Sequence, residues 1–214
     1  FLNQEVREFE RFASWRVTLS PIAYNTRLVK KEDAPRSFAD LLDPKWSGKI
    51  VKAHPGYSGT IMTATQQTAR DLGWGYYEKL SKQKVMQVQS AADPPKKRAL
   101  GERAVMADGG EYVVSDMMTR GEPIEAVYPT EGTPKAVGPN GICKHAPNPK
   151  AARLFPSFCF TAGCQQLVID VGALRSVHPQ AKEKPGSKPS KDIKVVKDEA
   201  AGVGEAAQES KARG

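Results

Sequence analysis

The junction between a short apolar segment and the pattern that follows it constrains this chain more than any other feature. Residues 49–53 have the composition of a buried β-strand, and periodic apolar and small residues over 60–72 predict an α-helix. Only a short turn, residues 54–60, lies between them. Because a strand that turns directly into a helix is typical of a βα unit, the chain is predicted to be an α/β protein.

The end of this turn, Ser58-Gly59-Thr60, predicts an anion-binding site, which we call the cradle. The first N–H groups of a helix have no intrahelical acceptor, and the positive end of the helix dipole faces the same point. Ser58 and Thr60 add two hydroxyls, while Gly59 has no side chain to block an approaching ion. These residues favour binding over catalysis.

Short strand-like and helical patterns alternate through the middle of the chain. Strands are predicted at residues 49–53, 85–88, 103–107 and 124–128, and helices at residues 60–72, 76–80, 91–100 and 111–119. This alternation is the βαβ signature of a mostly parallel sheet.

The C-terminal third has a different organisation. The Pro- and Gly-rich residues 129–140 are predicted to be a connection, and Asn148-Pro149 predicts the start of a helix that Pro156 should kink or shorten. Residues 182–194 are predicted to be extended on the surface, and the Ala-rich residues 199–213 to be a terminal helix.

The composition narrows the class of protein. With 214 residues and 39% apolar content, the chain can bury one ordinary core or two small lobes. A transmembrane segment is not expected, because no run approaches the roughly 18 to 20 apolar residues that one requires. The net charge of +8 suits an anionic partner, but Lys and Arg are spread along the chain, so nucleic-acid binding is not expected.

The three cysteines leave two alternatives open. Cys143, Cys159 and Cys164 match no zinc pattern. They could form one disulfide and one free thiol in an oxidising compartment, or they could be buried, unpaired thiols.

Several phrases occur in a characteristic order along the chain. They are Tyr24-Asn25-Thr26, residues 37–50, Ser58-Gly59-Thr60, Gly101-Glu102, residues 128–133 and residues 146–152. Together they resemble the periplasmic solute-binding proteins of ABC transporters, in the ferric-iron, phosphonate and spermidine-like branch with the type II periplasmic-binding fold.

This resemblance implies two α/β lobes joined by crossover strands, with a solute held in the cleft between them. Residues 1–23 would be a remnant of the first lobe with the first crossover, 24–123 the second lobe, 124–136 the returning crossover, and 137–214 the C-terminal part of the first lobe. Only fourteen residues precede the position that matches the family at Trp15, so the first lobe is expected to be incomplete and the N-terminal portion absent.

The resemblance also implies a function. The protein would be the periplasmic receptor of an ABC importer that captures a small anionic solute, bearing a phosphate, phosphonate or carboxylate group, or a ferric complex. It would then deliver this solute to a membrane permease. No catalysis and no cofactor are implied.

The expected ligand-binding residues follow from the matching positions. Ser58, Gly59 and Thr60 match the family segment that holds an anionic group, and Tyr24 and Asn25 belong to the first matching phrase. Ferric members carry two adjacent tyrosines as iron ligands, whereas the corresponding stretch here has one, Tyr112, which is the only candidate metal ligand. The adjacent pair Tyr76-Tyr77 falls in a predicted helix, where packing is the favoured role.

Two other classes of function remain as alternatives. The chain could be a truncated fragment that acts only as a structural or interaction module. It could also be a hydrolase with Cys143 or Ser58 as nucleophile and His54, His145 or His178 as base, although no third orienting group is apparent.

Overall fold

A computed structural model describes residues 12–196, and these form two compact units. The large unit contains Leu19–Ala136 and residues 190–196, and the small unit contains residues 12–18 and Val137–Pro189. The predicted helix at 199–213 lies outside the described residues. The predicted division into lobes and crossovers stays a prediction.

Strands and helices alternate along most of the chain. The strands are β1 (Phe12–Leu19), β2 (Ile22–Asn25), β3 (Ile50–Ala53), β4 (Met86–Val88), β5 (Val105–Met106), β6 (Ile124–Val127), β7 (Lys135–Gly141) and β8 (Arg175–Ser176). The helices are α1 (Gly59–Leu72), α2 (Trp74–Ser81), α3 (Asp93–Ala99), α4 (Glu111–Thr119), α5 (Pro149–Cys159) and α6 (Ala162–Asp170). The predicted α/β class is confirmed.

The large unit is built on a five-stranded sheet in the order β4-β3-β5-β2-β6. Strand β3 is parallel to both β4 and β5, whereas β2 is antiparallel to β5 and β6. The carboxyl ends of β3, β4, β5 and β6 therefore lie at the same edge as the amino end of β2. We call this the carboxyl edge of the sheet.

Alternating strand residues supply two apolar layers in the large unit. On one face Ile50, Val105 and Tyr24 pack with Phe38, Leu41, Trp46, Tyr76 and Leu80. On the other face Val51, Met106 and Ala23 pack with Val114, Met117 and Ile124. Each fully buried aliphatic or aromatic side chain of this size contributes roughly 1.5–3 kcal/mol relative to exposure, so the sheet is fixed from both sides.

The small unit contains a three-stranded sheet in the order β7-β1-β8, with β1 antiparallel to β8. Helices α5 and α6 are separated by a tight turn at Phe160 and Thr161. The chain turns here because the Thr161 side chain accepts a hydrogen bond from the Cys164 N–H at 3.3 Å and thereby caps α6. Pro156 lies within α5, which continues to Cys159.

Gln165 ties the small unit together. It is fully buried, and its Nε2 donates to the carbonyl oxygens of Trp15 and Cys159, both at 2.7 Å. Its Oε1 accepts from the Ser176 hydroxyl at 2.6 Å and from the Val177 N–H at 3.2 Å. One satisfied amide therefore links α6 to β1, to β8 and to the end of α5.

The sequence-based description differs from the structure at β7. The connection predicted at residues 129–140 contains most of this strand, whose Gly and Pro content conceals it. Gly138 leaves room for the side chain of Arg16 on the neighbouring strand, which a Cβ atom at residue 138 would approach to 2.7 Å. Strand β8 was not predicted, since two residues carry no periodic signal.

Candidate functional site

The cradle lies at the carboxyl edge of the large unit, where β3 leads into α1. Ser58 has an extended backbone (φ −141°), and its Oγ accepts a hydrogen bond from the Ile61 N–H at 3.4 Å. Its carbonyl oxygen accepts from the Met62 N–H at 2.8 Å. Ser58 is therefore the N-cap of α1, as expected of a serine at this position.

Helix α1 is held firmly by a buried amide. Gln67 Nε2 donates to the Lys135 carbonyl oxygen, and the Lys135 N–H donates to Gln67 Oε1, both at 2.9 Å. Because α1 is anchored at its middle, the direction of its N-terminus is fixed.

The N–H groups at the beginning of α1 remain available. Among the described residues, the backbone N–H groups of Gly59 and Thr60 have no acceptor. Gly59 is exposed, and no atom lies within 4 Å of the place where its Cβ would be. Two N–H donors, the Thr60 hydroxyl and the helix dipole, equivalent to roughly half a positive charge, can therefore act on one anion.

The loop between β5 and α4 leaves the sheet at the same edge. Its Gly110 N–H donates to the Ala91 carbonyl oxygen at 2.9 Å, which links it to the loop after β4. Tyr112 follows in the first turn of α4 and is half-buried. A side chain at Gly110 would overlap the ring of Tyr112, so it would displace this ring from its present position. The fold thus brings Tyr112 and the cradle to the same edge.

The carboxyl edge also carries Glu111 and Tyr128, which the sequence did not single out as site residues. Glu111 opens α4 and is 4% exposed, and Tyr128 directly follows β6. The Tyr128 hydroxyl donates to Glu111 Oε1 at 2.6 Å. The sequence showed an acidic residue at the start of this helix. It did not show that Tyr128 would be its partner, because only the fold brings the two residues together.

A second missed feature is a buried ion pair between Lys52 and Asp108. Lys52 Nζ lies 2.7 Å from Asp108 Oδ2, with the two side chains 8% and 7% exposed. The Lys52 ammonium also donates to Thr65 Oγ1 and to the Ala53 carbonyl oxygen, both at 3.1 Å. Asp108 Oδ1 in turn accepts from the Ala53 N–H at 3.3 Å. The pair therefore fastens the end of β3 to the loop after β5. One indication of this pair was present in the sequence, because Lys52 is a charged residue within a strand that is predicted to be buried.

Tyr76 and Tyr77 of α2 extend this buried region. The Lys52 ammonium lies 5.5 Å from the centre of the Tyr77 ring, and the Tyr77 hydroxyl is hydrogen-bonded with Thr65 and Thr68. Burial, and then the negative charge of Asp108, raises the pKa of Tyr77. We call Lys52, Asp108, Thr65, Tyr77 and Thr68 the buried cluster.

The hydroxyl of Tyr76 is buried, and no residue in the described part of the chain forms a hydrogen bond with it. Burial, and then the proximity of Tyr77 and Asp108, raises the pKa of Tyr76. Tyr76 and Tyr77 border a small cavity, also lined by Phe38 and Pro134, with room for about one water molecule. Both tyrosines therefore pack inside the large unit.

Tyr24 and Asn25 are not brought to the cradle. They end β2, and because β2 runs opposite to β5, they lie at the other edge of the sheet. The Tyr24 hydroxyl donates to Glu125 Oε2 at 2.6 Å, and burial together with this bond raises the pKa of Tyr24. Asn25 Oδ1 accepts from the Arg27 N–H at 2.9 Å, which closes the following turn.

Two of the residues considered for a hydrolase, Ser58 and His54, make local hydrogen bonds to the backbone. Ser58 Oγ caps α1, and His54 Nδ1 accepts a hydrogen bond from the Gly56 N–H at 3.0 Å. Cys143 is exposed, whereas Cys159 and Cys164 are buried. Within residues 12–196, no group of three or more His, Cys, Asp or Glu side chains is placed to hold a metal ion.

Comparison with known proteins gives consistent results. A family model described as bacterial extracellular solute-binding protein matches residues 4–201. An uncharacterised protein of Haemophilus influenzae is 28% identical over 155 residues, which are 69% of this chain and 44% of that protein.

Two solved structures illustrate the similarity of fold. The periplasmic binding protein AfuA from Actinobacillus pleuropneumoniae, with exogenous fructose-6-phosphate bound, has a TM-score of 0.79 and 28% identity, over 86% of this chain and 60% of AfuA. Iron-bound HitA from Pseudomonas aeruginosa has a TM-score of 0.78 and 20% identity, over 94% of this chain and 68% of HitA.

These relatives are longer than the chain. It spans less than half of the Haemophilus protein and about three fifths of AfuA. In the part of the chain that the structure describes, none of the helices has the length and apolar character needed to cross a membrane.

Proposed function

Because this chain belongs to the bacterial extracellular solute-binding protein family, we propose that it is the periplasmic receptor of an ABC importer for a small anionic solute. A phosphate-bearing solute is the first candidate. The cradle would bind its anionic group, and Tyr112, at the same edge of the sheet, would contact the rest of the solute.

The observation that carries this proposal is the pair of N–H groups at Gly59 and Thr60, for which residues 12–196 provide no acceptor. Their helix is anchored, so the two donors keep a fixed direction, and the adjoining hydroxyls of Ser58 and Thr60 can turn towards a ligand. Tetrahedral phosphate has several acceptor oxygens and is a common ligand at such helix ends. Lys52, although close in sequence, is neutralised by Asp108 and does not supply the charge.

The similarity to AfuA supports the same solute class. AfuA is 28% identical to this chain and was solved with a sugar phosphate, fructose-6-phosphate. A sugar phosphate combines an anion with a hydroxyl-rich body. Tyr128, half-buried at the edge that carries the cradle and bonded to the buried Glu111, is the kind of polar side chain that binds sugar hydroxyls.

A ferric complex is the second candidate that the sequence raised, and no feature of the site favours it. The iron-bound structure HitA is 20% identical, which supports the fold alone. Fe(III) prefers several hard, anionic oxygen ligands, and the loop after β5 offers one tyrosine, Tyr112.

Catalysis is not part of the proposal. The family consists of solute-binding proteins, which are not enzymes. The bound solute would act by favouring one conformation of the receptor over another, through contacts that differ between the two.

The test is a binding titration of the whole protein with fructose-6-phosphate, inorganic phosphate and ferric citrate, followed by isothermal calorimetry. The double variant Ser58→Ala/Thr60→Ala should bind fructose-6-phosphate about 1–3 kcal/mol more weakly, which raises Kd by roughly 5- to 150-fold, because hydrogen bonds to a charged group are lost.

A matched control is Ser81→Ala/Thr119→Ala. It removes one serine and one threonine hydroxyl, each exposed and bonded within its own helix, and it should leave Kd unchanged. Equal Kd values for the cradle variant and the unmodified protein would refute the cradle. Binding of ferric citrate alone would replace the phosphate-bearing solute with iron.

A further inference from the structure

We propose that one edge of the five-stranded sheet docks on an anionic phospholipid surface, through basic side chains that lie beside two exposed leucines. This is the amino edge, opposite the carboxyl edge, where β3, β4, β5 and β6 begin and β2 ends. The inference uses the extracytoplasmic location that the family implies, and it does not depend on which solute is bound.

Backbone hydrogen bonds join the segments of the amino edge into one row. Four N–H groups donate to carbonyl oxygens of neighbouring segments: Gly48 to Gln83 at 2.7 Å, Ala104 to Lys49 at 2.9 Å, Asn25 to Ala104 at 2.9 Å and Thr26 to Pro123 at 3.1 Å. Segments that are distant in the sequence therefore lie side by side, in the order 82–84, 48–49, 103–104, 25–30 and 122–123.

All but the last of these segments carry basic side chains, which we call the basic edge. They are Arg27, Lys30, Lys49, Lys82, Lys84 and Arg103. The lysines and Arg27 are exposed, and Arg103 is half-buried. None of the six forms an ion pair with another residue in the described part of the chain. The acidic residues in or next to these segments are Glu102, which is paired with Lys97 at 3.0 Å, and Glu32, Asp33 and Glu122. The fold thus gathers at one edge basic residues that are spread along the sequence.

Two leucines are exposed beside these charges. Leu28 lies between Arg27 and Lys30 in the turn after β2 and is 56% exposed. Leu100 lies three residues before Arg103, ahead of β5, and is 75% exposed. Their segments are neighbours in the row. A bilayer surface fits this combination, because apolar tips can enter the headgroup region while Lys and Arg contact anionic phosphates.

The two features together distinguish a bilayer from an acidic protein. Basic charge alone would suit either partner, and each Lys or Arg close to an anionic membrane raises the binding constant by about fivefold. Single apolar tips on separate turns, rather than a continuous apolar groove, suit a fluid surface that needs no matching pocket. The cradle lies at the opposite edge of the same sheet, so docking in this way leaves it accessible to a solute.

Sedimentation with vesicles tests the proposal on the whole protein. One set of vesicles contains phosphatidylcholine alone, and the other contains phosphatidylcholine mixed with phosphatidylglycerol. We expect binding to the mixed vesicles at low ionic strength and much weaker binding in about 1 M salt, where the Debye length falls to about 3 Å. Failure to bind the mixed vesicles at low ionic strength would overturn the proposal.

Neutralising the basic edge tests its location. Lys49→Gln/Lys82→Gln should weaken binding to the mixed vesicles by roughly 25-fold, since two charges near the surface are lost. The matched control is Lys144→Gln/Lys150→Gln, which removes two exposed lysines of the small unit and changes the net charge equally. It should bind like the unmodified protein. Equal weakening in the two variants would mean that net charge alone attracts the protein, and the amino edge would have no special role.

Replacing the leucines separates a bilayer from an acidic protein. Leu28→Ser/Leu100→Ser should weaken vesicle binding by about tenfold, because less apolar surface is removed from water. The control Leu154→Ser/Leu167→Ser alters leucines of the small unit with similar exposure, 72% and 56%, and should have no effect. Vesicle binding that is unchanged in Leu28→Ser/Leu100→Ser, together with equally strong binding of the unmodified protein to a polyglutamate peptide, would replace the membrane with an acidic protein partner.

Discussion

Two polar regions occupy the carboxyl edge of the same sheet, and they differ in how their polar groups are satisfied. In the buried cluster, Lys52 has Asp108 and Thr65 as partners, and Asp108 also accepts a backbone N–H. In the cradle, the N–H groups of Gly59 and Thr60 have no acceptor among the described residues. We call the buried cluster the closed region, because its polar groups have partners, and the cradle the open region, because its N–H groups have none among the described residues.

This difference indicates which polar residues maintain the fold and which can bind a ligand. A buried charge that is fully partnered has nothing left to offer a solute, and its removal should damage the fold. An exposed donor without a partner costs little in water and is available to an anion. Lys52, the charged residue nearest to the cradle in the sequence, is therefore a structural residue, while the exposed N–H of Gly59 is the group that we propose for binding.

The largest expected effect comes from breaking the buried pair. Asp108→Ala should lower the free energy of unfolding by about 3–5 kcal/mol, because Lys52 would be left buried without its counter-ion. Urea denaturation measures the change. The double variant Lys52→Met/Asp108→Leu should recover most of it, since apolar residues of similar volume leave no uncompensated charge. A loss below about 1 kcal/mol in Asp108→Ala would mean that the region is open to water.

The second largest expected effect is a loss of stability at alkaline pH, which comes from the buried tyrosines Tyr76 and Tyr77. The pKa values of Tyr76 and Tyr77 are raised by burial, so their contribution to stability is complete below the unfolded pKa of about 10. It should fall as pH rises above that value, by roughly 1.4 kcal/mol per pH unit for each tyrosine, because the unfolded chain releases the proton more readily. Urea denaturation at several pH values above 9 measures the slope.

A variant identifies the source of this slope. Tyr77→Phe should reduce the pH dependence above pH 10, because it removes one of the two tyrosines whose pKa is raised by burial. An identical slope in Tyr77→Phe and the unmodified protein would show that Tyr77 ionises equally well in the folded and unfolded states.

The open region should respond less in stability and more in binding. Ser58→Ala should lower the free energy of unfolding by about 0.5–2 kcal/mol, because the N-cap bond to Ile61 is lost, and Ser58→Gly only by a few tenths. Both variants lack the hydroxyl, so both should weaken fructose-6-phosphate binding to a similar degree. Urea denaturation and calorimetry on the two variants separate capping from binding. Similar unfolding free energies with different affinities would reverse this assignment.

Much of the fold could be predicted from local patterns. Helix α4 has the predicted bounds, and α1 begins one residue before the predicted start, because capping residues and apolar periodicity mark helices clearly. The prediction failed at β7, where Gly and Pro resemble a connection, and at the two-residue β8. Strands of this kind are specified by their neighbours rather than by their own sequence.

The candidate site divides in the same way. The cradle and Tyr112 each follow a strand of the parallel part of the sheet, and the carboxyl ends of parallel strands lie at one edge. Tyr24 and Asn25 lie at the other edge because β2 is antiparallel, and strand direction leaves no trace in a short apolar run. The pairing of Lys52 with Asp108 joins distant positions, which only the folded chain brings together.

The smallest expected effect lies beside the buried cluster, at Tyr76. Its buried hydroxyl has no hydrogen-bond partner among the described residues, so Tyr76→Phe should change the free energy of unfolding by less than about 0.5 kcal/mol, or raise it slightly. Tyr77→Phe, which removes a bonded hydroxyl, should cost about 1 kcal/mol and is the matched comparison. A loss in Tyr76→Phe as large as that in Tyr77→Phe would mean that a water molecule in the adjoining cavity bonds Tyr76, and the closed region would then be fully satisfied.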